Sequence, residues 1–142
     1  MIGTSAMKRP WSVTLVAVLE CLAAAIAWAV SFSLFVPGTW LDRMWGLNQP
    51  VHDAFAGQAR PVATLLLLVG GLAAAAGVGL MTRRLWAWLL SLAIFSINAL
   101  GDLASVFITR DWLHGLAGIL IDCLFLYLLL RPAVRSFFLA RR

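Results

Sequence analysis

Charged side chains are scarce in this sequence. Only 12 % of its 142 residues are Asp, Glu, Lys or Arg, about half the share usual in soluble domains. That scarcity excludes a water-facing globule, because 63 % of the residues are hydrophobic and nothing is left to solvate them. Cysteine is rarer still. Cys21 and Cys123 form no CxxC pair, so neither a dithiol redox centre nor a zinc ribbon has its ligands, and both thiols are expected as small core residues. The two histidines, His52 and His114, lie near Asp53 and Asp111 in sequence but lack the compact three or four ligands a metal needs. Glycine-rich phosphate loops, nucleophile elbows and HExxH are absent as well, so no metal, cofactor or catalytic residue is expected.

Long apolar runs are what the sequence has in abundance. Four of them, residues 11–36, 61–81, 85–108 and 113–130, approach or exceed the roughly 20 residues that cross a bilayer core. In lipid such runs must be helical, since an open strand would strand its backbone polar groups. The first run, with Lys8 and Arg9 before it and "AIAWA" within it, has the outline of a signal peptide. It is nonetheless too long for one and carries Glu20, so it is expected as a span. The fold class expected is an all-α polytopic membrane protein: residues 1–142 as a single transmembrane domain, an antiparallel four-helix bundle with a short interfacial helix in its first outer loop.

Basic residues orient the bundle. Lys8, Arg9, Arg83, Arg84, Arg131, Arg135, Arg141 and Arg142 fall on one side, against Arg43, Arg60 and Arg110 on the other, which puts both termini in the cytoplasm. The net charge of +5 is then an orientation signal and an attraction to anionic lipid; nucleic acid is not needed as a partner. Trp11, Trp86 and Trp88 mark the inner interface and Trp40, Trp45 and Trp112 the outer one.

The turns "TRR" and "TRDW" are short enough to make spans two, three and four sequential neighbours. The one long connection, 37–60, contains "TWLDRMWGL". Read as an α-helix it puts Trp40, Leu41, Met44 and Trp45 on one face, with Thr39 as N-cap and Asn48 to Pro50 as a stop. It is expected to anchor the bundle at the interface; a lid over an outward cavity is the sharper alternative. In the tail, 131–142, Val134, Phe137 and Phe138 are expected to dip into lipid while the arginines meet anionic headgroups.

Three carboxylic acids and one asparagine interrupt the runs. At 1.5 Å per residue, Glu20 and Asp122 lie about 14 Å from their inner boundary markers, Asn98 about 18 Å, and Asp102 a turn further out. An aspartate at such depth costs roughly 2.5–3.5 kcal/mol on insertion scales, so it should face other helices. Spacing supports an inward stripe of Ser91, Asn98, Asp102, Ser105 and Thr109 on the third span, Glu20, Ala24, Ala27 and Ser31 on the first, and Gly115, Gly118 and Asp122 on the fourth. Gly71, Ala75 and Gly79 make a small-residue ridge for close helix packing or a homodimer. No Lys or Arg lies deep in a span, so Glu20 and Asp122 are expected neutral, sharing hydrogen bonds with Asn98. The cluster Glu20, Asn98, Asp102 and Asp122 is thus a candidate binding or proton site, or else a clasp that fixes helix register.

"NALGD" resembles the GxGD motif of intramembrane aspartyl proteases, but Ala99 replaces its first glycine and the two aspartates come in reversed order. A broader likeness runs through "KRPWSVTL", "GLMTRRLWAWLL", the "GD" of the third span and "LYLLLRPAVRSFF". These segments resemble small bacterial four-helix integral membrane proteins with no assigned activity. That resemblance implies a bacterial inner membrane and no reaction. Glu20 is also similar to the midplane Glu in the first helix of small multidrug transporters, whose remaining pattern is missing. The function expected is non-enzymatic: an accessory or assembly subunit contacting a membrane partner or lipid. The alternative is a small proton-coupled transporter or ligand-binding bundle using the midplane carboxylates.

Overall fold

The computed structural model describes residues 8–47, 49–109 and 112–140, and every regular element among them is helical. In order these are α1 (Trp11–Phe35), a 3-10 helix (Trp40–Leu47), α2 (Gln49–Ala56), α3 (Ala59–Met81), α4 (Leu85–Thr109), α5 (Trp112–Leu130) and α6 (Pro132–Leu139). The expected span limits fall within two residues of α1, α3, α4 and α5. Helices α1, α3 and α4 are each long and apolar enough to cross a bilayer, and α5 qualifies together with α6, from which it is bent by 55°. Large apolar side chains such as Leu68, Ile97, Phe107, Ile108 and Leu120 are exposed, a surface compatible with lipid and unlike that of a soluble monomer. Asn48, Arg110, Asp111, Arg141 and Arg142 lie outside the described residues, as do the side chains of Pro50, Thr109 and His114.

The described residues form two compact units, whose boundaries fall inside α1 and α3. The unit from Glu20 to Ala75 has a core of Leu34, Trp45 and Ala63, flanked by Val30, Met44, Phe55 and Val62. Polar side chains stitch its long helices together: Ser31 Oγ donates to the Ala63 carbonyl at 2.7 Å and Trp28 Nε1 to the Leu67 carbonyl at 3.2 Å. The indole of Trp28 also covers Gly70, where a Cβ would meet it at 2.7 Å.

Within this unit the connection 37–60 departs from its expectation. It is mostly helical: the 3-10 segment ends at Leu47, next to the expected stop, and a second helix that was not expected, α2, occupies Gln49–Ala56. The tighter 3-10 winding brings residues three apart onto one face, and the face that turns inward contains Trp45. Its Nε1 donates to Ser33 Oγ at 2.8 Å, its ring lies 5.0 Å from that of His52, and it is buried where an interfacial anchor was expected. Trp40 is 77 % exposed. Thr39 does not cap through its hydroxyl; the Asp42 carboxylate instead accepts from the Gly38 N–H at 2.5 Å.

The other unit runs to Leu19 and resumes at Ala76. Its core gathers Val13, Val16 and Ala17 of α1, Leu80 of α3, Trp88 and Phe95 of α4, Leu129 of α5, and Val134, Phe137 and Phe138 of α6. The expectation that the tail phenylalanines enter lipid is therefore corrected. Pro132 at the first position of α6 cannot donate to the preceding turn, so the helix breaks there. After the 55° bend α6 folds back and seats its apolar stripe on protein. Trp88, expected at the interface, is buried in the same core, donating Nε1 to the Leu129 carbonyl at 3.0 Å and stacking on Phe138.

The "TRR" turn is closed by Arg83 at φ 57°, a left-handed conformation that glycine more often supplies. Arg84 N–H then reaches the Gly79 carbonyl at 2.8 Å. Two contacts hold the Arg83 side chain: Nε donates to the Phe137 carbonyl at 2.7 Å, and the guanidinium lies 4.5 Å over the Phe137 ring. Arg9 works similarly, donating to the Met81 carbonyl at 2.7 Å. Arginines that read as topology signals are thus also clamps on helix ends.

Along α3 the buried positions include Ala63, Gly70, Ala73, Ala76 and Leu80, so the close-packing face lies one position away from the expected ridge. Gly79 is on it, tight against Ala87 and Trp86; Gly71 faces open space and Ala75 is exposed. Cys123, expected in the core, is exposed, and Cys21 is half-buried.

Candidate functional site: a polar groove between α4 and α5

Helices α4 and α5 run antiparallel, joined across residues 110–111. Phe95 packs on Phe125 with ring centroids 5.0 Å apart, and further along Val106 and Asp102 meet Gly115. Glycine makes the approach. A Cβ at Gly115 would collide with Val106 Cγ2, and one at Gly118 with the Asp102 carboxylate, which lies directly on the bare Gly118 backbone. Small residues let one helix backbone close on a neighbour, here admitting a carboxylate between them.

Beside this contact the two helices part into a groove of about 440 Å³. Asn98, Gly101 and Asp102 of α4 form one wall, Gly118 and Asp122 of α5 the other, with Ile97 and Ile121 at the rim. Asp122 is 6 % exposed at the back, Asp102 is half-buried, and Asn98 is exposed at the mouth. Because Asp102 lies against Gly118, one turn from Asp122, the two carboxylates are separated by about 6 Å along the helix axis.

The structure therefore brings together Asn98, Asp102 and Asp122 of the expected cluster. Glu20 lies on α1 in the other unit, buried at 3 % exposure. The stripe expected on α4 is only partly inward: Ser91 is fully buried in the α4 portion that packs on α1, α5 and α6, but further along Asn98 turns outward. Gly101, Ile97 and Ile121 were not singled out from sequence. The signal for them was adjacency alone, since Ile97, Gly101 and Ile121 directly precede Asn98, Asp102 and Asp122.

Of the expected interfacial tryptophans, Trp11, Trp40, Trp86 and Trp112 are exposed and Trp45 is not. Among the described residues no group of three His, Cys, Asp or Glu converges to hold a metal ion. The groove lining offers carboxylate and carboxamide groups, which recognise a partner by hydrogen bonding or charge, and contains no Lys, Arg, His, Ser or Cys side chain.

No family model matches the chain, and neither a curated protein nor a solved structure matches it. The site has to be read from its own chemistry.

Proposed function

We propose that this chain is a non-enzymatic, multi-pass protein of a bacterial inner membrane, with both termini cytoplasmic, and that it serves as an accessory subunit whose α4–α5 groove receives a transmembrane helix of a larger partner. The observation that carries this reading is Asn98, exposed at the mouth of a groove backed by Asp102 and Asp122 and rimmed by isoleucines. Hydrocarbon offers such groups neither donors nor acceptors, so leaving them toward lipid is costly. A helix carrying a Lys, Arg or amide side chain at that depth would satisfy them, supplying the cation or donors that the chain's own spans lack.

A photo-crosslinker at Ile97 or Ile121, introduced in the native membrane, should capture a transmembrane segment of one polypeptide in fixed ratio. Asn98→Leu combined with Asp122→Asn should abolish that adduct while thermal stability stays near that of the parent. An undiminished adduct in that double variant sinks the reading, and an adduct of twice the chain's mass assigns the groove to a second copy. The alternative of a proton-coupled transporter draws on the same carboxylates. It predicts proton-linked flux in vesicles containing this chain alone, lost in Asp122→Asn.

A further inference from the structure

We propose that the cavity between the start of α1 and the start of α6 is a binding site for the phosphate headgroup of an anionic phospholipid. It measures about 510 Å³, within the roughly 300–1,000 Å³ of small-molecule sites. Three cations line it: Lys8 and Arg9 ahead of α1, and Arg131 at the cap position of α6. Arg131 sits at the 55° bend itself, and the core that Val134 shares with Val13 and Val16 holds that bend near the start of α1.

The charge here is uncompensated. No Asp or Glu occurs in residues 1–19 or 123–142, and among the described residues none of the three cations forms a salt bridge. Arg9 is oriented by its bond to the Met81 carbonyl, a neutral acceptor that leaves the guanidinium's charge intact and fixes its position. Three cations around one concavity, one of them held in place, form an electrostatic trap for a phosphate.

The remaining lining decides between a lipid and a free anion. Pro10, Trp11 and Val134 give the cavity an apolar side, and Trp11 stands 64 % exposed beside it, as an interfacial indole does. A phosphodiester with acyl chains meets both surfaces at once; inorganic phosphate meets only the cations. This site rests on the membrane reading proposed above but not on the groove or its partner, and its residues are different ones.

The test is native mass spectrometry of the full chain released from nanodiscs of phosphatidylglycerol and phosphatidylcholine in equal amounts. A retained phosphatidylglycerol adduct is expected. A charge-assisted contact to the phosphate is worth about tenfold or more, so Lys8→Gln with Arg131→Gln should weaken it by about 100-fold. Arg135→Gln, exposed and outside the cavity, should leave it unchanged. Equal weakening by Arg135→Gln would show diffuse attraction by the tail and overturn the site, as would equal retention of phosphatidylcholine. Inorganic phosphate at millimolar concentration displacing the lipid adduct would overturn the lipid assignment in favour of a free anion. Should the double variant fold poorly by tryptophan fluorescence, Lys8→Gln alone is expected to lose about tenfold. A normal lipid profile in Asn98→Leu/Asp122→Asn, with the helix crosslink gone, separates this site from the groove.

Discussion

At the scale of single residues, glycines differ by what a methyl group would strike. A Cβ at Gly79 would overlap the Cβ of Ala87, which has no rotamer to escape into, whereas at Gly71 it would enter open space. Gly79→Ala is therefore expected to destabilise by about 1–3 kcal/mol through overpacking, and Gly71→Ala to stabilise by up to about 1 kcal/mol through helix propensity. Thermal unfolding in detergent, measured on both variants, should show midpoints moving in opposite directions; a shared direction would refute the assignment of faces on α3. The sequence could rank Gly71 and Gly79 only as equals, because spacing by fours fixes a face and leaves unknown which face is inside. Asn98 has the same explanation: its seven-residue step from Ser91 keeps it on one stripe of α4, but how much protein surrounds that stripe changes along the helix.

At the scale of elements, hydropathy was enough to locate every long helix, since crossing length and apolarity are local properties of the chain. The short helices were less legible. Segment 132–139 has an apolar stripe that suits either lipid or protein, and composition does not distinguish them. The structure chooses protein: Phe138 is 3 % exposed and stacked on Trp88. Phe138→Ala is accordingly expected to cost about 3 kcal/mol, as a large-to-small change in a packed site does. A helix merely resting on lipid would lose almost nothing in equilibrium unfolding, so a change under about 0.5 kcal/mol would contradict the core position. The candidate groove was half legible, because the two residues between α4 and α5 leave them no choice but to be neighbours, whereas the seat of Asp102 on Gly118 depends on backbone approach that no spacing rule reports.

At the scale of the whole molecule, eight basic residues expected on one side and three on the other predict cytoplasmic termini. Single cysteines placed near Lys8 and near Ala140, in a background lacking Cys21 and Cys123, should resist a membrane-impermeant thiol reagent in intact cells and react in inverted vesicles. One near Arg43 should behave the opposite way. Labelling of the first two from outside would invert the orientation and place the cavity at Lys8, Arg9 and Arg131 at the opposite leaflet.

The return of α6 also orders events in time. Val13, Val16 and Ala17 precede by several helices the residues Val134, Phe137 and Phe138 that complete their core. Until those later residues have been made, the start of α1 is an apolar surface without its full cover, open to lipid or to chaperones.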